Sequence, residues 1–332
     1  MKVLRTLAIV SAALLAACSP GQKESARGPS ANAPVTIRFA TDWRAQAEHG
    51  GFYQALASGE YAKRGLKVEI LQGGPGVNVP QLLASNAVEL GMGSNSFIVM
   101  NLAQEGVPVK AVAAFMQKDP QVLIAHPDTG VEKIADLKGH PILLSDASVT
   151  AFWVWLKAKY GFTDDQVRKY NFNSAPFLSD KRAAQQGYVT SEPYTIEKMA
   201  GLKTKVFLLA DEGYPGYATM VLATDAMIAR NPAAVKAFVA ASAEGWRDYL
   251  AGDPAAADAL IRKDNPEMTA DVLAQAREKL RSYKIIEGSE GALVGAMTDA
   301  RWKAFSDMAM AQGVYPRTLD PKTAYTLAFS PK

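Results

Sequence analysis

From Val35 onward the spacing of apolar residues switches between two periods. "VTIRFA" is a β-branched run and "LKVEILQ" alternates apolar and polar positions, so both predict strands. Between them, "GGFYQALASGEYAKRG" keeps helical spacing and ends at Gly65, a residue suited to a C-cap; it predicts one helix. "GGPGVN" predicts a turn, "VPQLLASNA" a short helix, "VELGMG" a short strand, "SNSFIVMNLAQEG" a helix opened by Ser94 or Ser96, and "VKAVAAFM" a buried strand. "QVLIAHP" and "KIADLKGHPILLS" continue the alternation, a helix is expected from Ser148 through Tyr160, and "KVFLLAD" and "ATMVLAT" read as strands. After Asn231-Pro232 the pattern is almost wholly helical: "PAAVKAFVAASAEGWRDYLA", "TADVLAQAREKLRSY" and "DARWKAFSDMAMAQG" each carry an apolar stripe of period 3.6. Strands separated by helices imply parallel βαβ units, hence two α/β units with a helical tail returning to one of them. Ligands of open α/β sheets bind beyond the carboxyl ends of strands, which makes the loop 41–51 a candidate site.

The N-terminus breaks the alternation. "MKVLRTLAIVSAALLAACSP" sets Lys2 and Arg5 before an apolar run from Leu7 to Leu15, too short for a membrane span and shaped as a secretory signal. It ends in "LAAC", which resembles a bacterial lipobox, and Cys18 is the only cysteine of the chain. Residues 1–17 are therefore expected to be a lipoprotein signal peptide, Cys18 the lipidated residue, and 18–33, rich in Ser, Gly, Pro and Ala, a flexible tether. The mature protein is expected to be exported and held at the membrane through the lipid alone. Composition fits a globular chain of about two domains: 332 residues, 48% hydrophobic and 21% charged. Net charge is +3, near +1 without Lys2 and Arg5, and no basic run is present, which argues against a nucleic-acid partner.

Residues 41–56 read "TDWRAQAEHGGFYQAL". A flat heteroaromatic ring would stack on Trp43 and donate an amino hydrogen to Asp42. Glu48 adds an acceptor and His49 an adaptable donor or acceptor; Gly50 and Gly51 would allow close backbone approach at a free helix N-terminus, and Phe52 and Tyr53 would wall a pocket. Singly, Trp43 reads as core and Asp42 as an N-cap; four such residues in one strand-to-helix loop favour a binding site. In "QQGYVTSEPY", Gln185 to Tyr194, Pro193 biases Glu192 toward an extended conformation that would point its carboxylate into a cleft, and Tyr188 could stack opposite Trp43. A surface glutamate before a turn is the competing explanation. Ser94, Asn95 and Ser96 offer polar groups at a helix start, as a ligand contact or a cap. Ser148 and Thr150 suit an N-cap better than an anion site.

On these residues the chain resembles the solute-binding proteins of ABC importers, in the branch related to pyrimidine-precursor, taurine, alkanesulfonate and nitrate binding. "TDWRAQAEHGGFYQALASGEYAKRGLKVEI", "LLASNAVELGMGS", "IADLKG" and "QQGYVTSEPY" carry the resemblance over roughly residues 35–240, and "DW…AEHGGFY" with "QQGYVTSEPY" is most similar to the subgroup that binds thiamin-type aminopyrimidines. The resemblance implies an α/β fold of the type II periplasmic binding class: two lobes joined by two crossing strands, with a ligand cleft between. Lobe I is expected over 34–118 plus 222–332 and lobe II over 119–221. The implied contact set is Asp42, Trp43, Glu48, His49, Tyr53, Asn95, Tyr188, Glu192 and Tyr194. The implied partners are a small molecule and an ABC permease with its ATPase, the protein acting as a monomer by hinge closure. Asp42, Glu48 and Glu192 facing aromatics suit an amine-bearing flat ring, so a thiamin-precursor aminopyrimidine is favoured over riboflavin, alkanesulfonate, taurine or nitrate.

The same fold serves a pyrimidine synthase of thiamin biosynthesis, which implies lysine-bound pyridoxal phosphate, a consumed histidine and a cysteine-rich segment associated with iron. His49 matches the histidine's neighbourhood, but no cysteine remains after Cys18 and the loop from Thr41 to Gln54 has no lysine. No enzyme activity, cofactor or metal site is therefore expected; the three histidines are scattered. "GGPGVN" lacks the Lys-Ser/Thr ending of a phosphate loop, and Trp153 and Trp155 read as core.

Overall fold

The computed structural model describes residues 33–288 and 293–331. The expected signal peptide, Cys18 and the tether up to residue 32 lie outside the described residues. Ten strands follow in chain order: β1 (Val35–Ala40), β2 (Leu66–Leu71), β3 (Leu90–Asn95), β4 (Val109–Met116), β5 (Gln121–Ala125), β6 (Ile142–Leu144), β7 (Val167–Lys169), β8 (Ala184–Tyr188), β9 (Lys205–Leu208) and β10 (Ala218–Thr224). They form two five-stranded sheets, ordered β2-β1-β3-β10-β4 and β7-β6-β8-β5-β9. In the first, β1 runs parallel to β2 and β3, and β10 returns antiparallel between β3 and β4. In the second, β6 is parallel to β7 and β8, and β5 is antiparallel to β8 and β9.

Each sheet is the centre of a lobe, and the chain passes between them twice, at 117–120 and at 209–217. The return falls earlier than residue 222: β10 pairs in the first sheet from Ala218 onward. The long helix Arg301 belongs to, Asp299–Ala311, grips this second crossing. Arg301 donates to the carbonyls of Pro215 (3.0 Å) and Gly216 (2.7 Å), and its guanidinium lies 4.2 Å from the centre of the Tyr217 ring. In the first crossing Asp119 is buried and accepts the backbone N–H of Gln121 at 3.0 Å.

Two helices expected to be continuous are broken. The segment 50–65 forms Gly50–Ala57 and Glu60–Lys63, because Gly59 takes a left-handed conformation (φ 75°) just past the first helix and its N–H donates back to Leu56. The segment 148–160 forms Asp146–Val149 and Phe152–Tyr160. Trp153 and Trp155 are buried, as their apolar setting predicts.

The C-terminal helix Pro232–Ala251 packs against Gly50–Ala57 and explains the glycine pair. A Cβ on Gly50 would fall 2.0 Å from the Tyr249 ring, and one on Gly51 2.1 Å from Trp246. Gly50 and Gly51 therefore serve helix-to-helix packing and not ligand approach, correcting the sequence expectation. Tyr53, one turn on, is in the same core at 1% exposure, its hydroxyl donating to Asp264 at 2.8 Å; it does not wall the cleft.

Candidate functional site

The carboxyl ends of β1, β3, β6 and β8 point into the gap between the lobes. Thr41 anchors the loop after β1 by donating to the carbonyl of Trp43 (2.8 Å) and accepting the N–H of Gly73 (3.2 Å). Asp42 then meets the end of β3, where the Ser94 hydroxyl donates to Asp42 Oδ2. Its other oxygen, Oδ1, is buried, lies 3.5 Å from His49 Nε2 and has no hydrogen-bond partner. His49 is 1% exposed and its Nδ1 is unpartnered as well. Buried polar atoms without partners are rare in folded proteins, so these two mark unmet hydrogen-bonding capacity in the loop, the His49 nitrogen as donor or acceptor according to its tautomer. Asn95 does not join them: its side chain accepts the N–H of Phe97 at 3.0 Å and caps the helix Ser96–Gln104.

The second lobe contributes β8 and the helix that follows it, Glu192–Ala200. Glu192 is the first residue of that helix, not extended, because Pro193 fits the first turn, where its missing N–H costs nothing. The Glu192 carboxylate accepts the N–H of Tyr188 at 2.8 Å. Burial pushes Glu192 up to about 7 against that hydrogen bond, with Glu48 raising it further. Asp119 is likewise pushed up to about 7 by burial, with the Gln121 N–H and Arg301 opposing. Burial also raises Glu48, against the hydrogen bond it accepts from Thr190 Oγ1 of the second lobe. The Tyr188 hydroxyl stands amid this group and is held well above its ordinary value by burial, then by Asp119, Asp42, Glu48 and Glu192. The cleft floor thus gathers Asp42, Glu48 and Glu192 around the Tyr188 hydroxyl, with Asp42 Oδ1 lacking a partner. Arg44, the loop's one basic side chain, turns outward to Glu267 (3.3 Å).

The aromatic neighbour of Trp43 across the gap is Phe172, at 5.1 Å between ring centres, and not Tyr188. Tyr194 lies further out. Its hydroxyl donates to Asp271 (2.6 Å) on the helix Ala270–Ser282 of the first lobe, and Lys198 pairs with the same oxygen at 2.6 Å. Tyr194 and Lys198 border a groove of about 320 Å³ that reaches from Glu48 and Thr190 to Met199 and Met268. At the helix start near Ser148 the cap is Ser145, which accepts the Ser148 N–H (3.3 Å), while Thr150 donates to Ala147 and is exposed, in line with a capping role.

Phe172, Asp119 and Thr190 were not readable as site residues. Phe172 and Asp119 reach the cleft only through the fold, and Thr190 has no local partner. Strand β8 was equally hidden, because its central positions are Gln185 and Gln186, both buried. Their amides do structural work: Gln186 Oε1 accepts the N–H of Ser145 (2.6 Å), and Gln185 Nε2 donates to Ser174 (3.0 Å). The order "QQGY", polar and short, does not announce a strand. No group of three or more His, Cys, Asp or Glu is placed to hold a metal among the described residues, and no helix there is long and apolar enough to cross a membrane.

The chain is similar to the riboflavin-binding protein RibY of Chloroflexus aurantiacus, at 27% identity over 98% of this chain and 97% of that one. It is 22% identical to the formylaminopyrimidine-binding protein of Halalkalibacterium halodurans over 74% of this chain and 75% of that one. Among solved structures, the periplasmic aliphatic sulphonate-binding protein SsuA of Escherichia coli superposes with a TM-score of 0.67 at 15% identity, covering 87% of this chain and 91% of that one. The desulfurization enzyme DSZB superposes with a TM-score of 0.55 at 13% identity over 87% and 96%. At such identities the structures establish the fold, that of the periplasmic binding proteins, which an enzyme also uses. Residues 46–257 match the family described as NMT1/THI5 like, more than half of the chain, and the chain belongs to that family.

Proposed function

We propose that the protein captures a flat nitrogen heterocycle rich in hydrogen-bond donors outside the cytoplasm and delivers it to an ABC permease, with riboflavin the first candidate and a thiamin-precursor aminopyrimidine the second. The observation that carries this is the pairing of a partly exposed indole, Trp43, with acids from both lobes: Asp42, whose Oδ1 has no partner, and Glu48 and Glu192, whose carboxyl groups burial pushes up. A ring stacked on Trp43 gains buried aromatic area, and its N–H and O–H groups can donate to the unpartnered Asp42 Oδ1 and to the remaining lone pairs of Glu48 and Glu192. A sulfonate would meet acceptors instead of cations, so the ligand class of the sulphonate-binding structures does not suit this cleft. The acids alone favour an aminopyrimidine. The relative that matches across nearly the whole chain is named for riboflavin, whose ribityl hydroxyls and ring N–H also supply donors, and that likeness supports our order of candidates.

Closure follows from the two crossings. A ligand that touches both lobes stabilises the closed arrangement; one that touches a single lobe leaves the equilibrium where it was. Anchoring through Cys18 completes the proposal, and Cys18→Ala should leave the protein unacylated and released from membranes; an acylated, membrane-bound variant would contradict it.

The test is a thermal-shift screen followed by titration calorimetry with riboflavin, an aminopyrimidine, taurine and nitrate. A ligand held at 100 times its Kd stabilises by about 2.7 kcal/mol. Riboflavin or the aminopyrimidine should stabilise while taurine and nitrate do not. Trp43→Ala and Glu192→Ala should each weaken the binder at least tenfold, about 1.4 kcal/mol. Stabilisation by taurine or nitrate alone would overturn the proposal.

A further inference from the structure

Phe172 is placed against the usual preferences of its side chain and backbone. It is 57% exposed, the most exposed aromatic side chain among the described residues that carry large apolar groups. Its φ is +58°, a left-handed conformation that a bulky residue adopts only where the surroundings impose it. The chain on either side is pinned: the N–H of Tyr170 donates to Leu144 (2.9 Å), Asn173 accepts the N–H of Ala175 (2.9 Å), and Ser174 accepts from Gln185 (3.0 Å). Phe172 is left as the crest of a short loop. An exposed ring held in a strained conformation adds little to a core, so the reason for it lies in what the ring faces.

It faces Trp43 of the other lobe, at 5.1 Å between centres and 42° between planes. Behind it stands Tyr170, 5.4 Å away, and the Tyr170 hydroxyl in turn faces the Glu192 carboxylate. The three rings form one aromatic row from the rim of the cleft to its acids, and only the Trp43–Phe172 step crosses between lobes.

We propose that Phe172 is a ligand-binding residue, the aromatic jaw of the second lobe that closes on a flat ring held by Trp43. Resting on the function proposed above, it gives that ligand its second stacking face. Ring-to-ring contact needs roughly 3.5–4 Å per face, so an inserted ring sets the two jaws about 7 Å apart. The present spacing is direct jaw-to-jaw contact. A planar ring therefore parts the jaws by about 2 Å and stacks on both once the two rings turn out of their present 42° tilt, whereas a tetrahedral sulfonate has no face to offer either. The left-handed backbone fixes the ring's direction in advance, which lowers the ordering cost of binding.

Two variants separate this role from a structural one. Phe172→Asn removes the ring with a residue that tolerates a left-handed backbone. Phe172→Tyr keeps the ring. With the purified full chain, Phe172→Asn should hold or raise Tm yet weaken riboflavin or aminopyrimidine binding at least tenfold, and Phe172→Tyr should bind as the wild type does. Binding within twofold of wild type in Phe172→Asn would overturn the jaw, as would a fall in Tm that Phe172→Tyr restores without any change in affinity. The other four tryptophans, Trp153, Trp155, Trp246 and Trp302, are buried, so acrylamide quenching of the ligand-free protein reports on Trp43. Phe172→Asn should raise that quenching; unchanged quenching would contradict the contact. If the wild type binds neither ring compound, the proposed function fails, and the jaw contact is then judged by the quenching alone.

Discussion

Besides the Trp43–Phe172 ring contact, the two lobes meet through polar groups in two chemically different places. Deep in the cleft, Thr190 of the second lobe donates to Glu48 of the first, and Gln275 Nε2 donates to the Thr190 carbonyl at 2.6 Å. Both Glu48 and Thr190 are buried. At the outer edge, Asp271 accepts from Lys198, Tyr194 and Thr269, each at 2.6 Å, and these hydrogen bonds hold its carboxyl well below the usual carboxylate range. By geometry the outer cluster looks the stronger. Its members are about half exposed, however, so water and salt screen it and a surface pair of this kind contributes about 0–1 kcal/mol. The inner contact has no water to fall back on, and a buried polar group that loses its partner bears the full desolvation cost. For the proposed closure we therefore assign energetic control to the inner contact and a smaller part to the outer one.

The largest effect is expected from Thr190→Val, which keeps shape but removes the donor to Glu48. It should cost about 1–3 kcal/mol of stability in denaturant unfolding. Glu48→Gln in the same background should recover part of that loss, because it removes the carboxyl that Thr190→Val strands. No loss in Thr190→Val would show that water already serves Glu48 and would break the contrast.

An intermediate effect comes from pH. Glu192 and Asp119 keep their protons to about pH 7 in the folded protein and release them near pH 4 when unfolded. Between about pH 5 and pH 8 the folded state binds more protons than the unfolded state. Stability therefore falls as pH rises toward and through 7 and levels off above it; the penalty is already partly present at pH 5 and is absent only below the unfolded-state value near 4. Melting curves across this window should show that decline for the ligand-free protein, and Glu192→Gln should flatten it. A Tm that climbs from pH 5 to 8 would mean that these acids are solvated.

The smallest effect is assigned to Asp271→Asn. It should change ligand affinity by no more than about fivefold, within the 0–1 kcal/mol of an exposed pair, and the difference should fade at about 1 M salt. A larger, salt-insensitive loss would move control of closure to the outer edge.

Periodicity carried most of the fold because the strands and helices that fill the cores are long and apolar: β4, β5 and β10 and the C-terminal helices stand where their spacing puts them. It failed where polar residues are buried, as in β8, and where a three-residue strand such as β7 has too little length to show a period. The site was legible where its residues are neighbours in sequence. Asp42, Glu48 and His49 arrive together because one loop carries them, and the structure brings Asp42 and His49 to 3.5 Å. Tyr53 and the glycine pair misled because a helix that starts at a cleft also has a back, which here packs on Trp246 and Tyr249. Phe172 lies about 130 residues from Trp43, and no local pattern marks a ring whose partner is supplied by another lobe.

The central claim is that a flat ring is held between lobes, on Trp43 and above the acids. The most direct measurement is a crystal structure of the protein grown with riboflavin, repeated with an aminopyrimidine. The ring should lie parallel to Trp43 at about 3.5–4 Å, its N–H or O–H groups on Asp42, Glu48 or Glu192. Ring density confined to the outer groove beside Tyr194 and Met268, with Trp43 untouched, would contradict it.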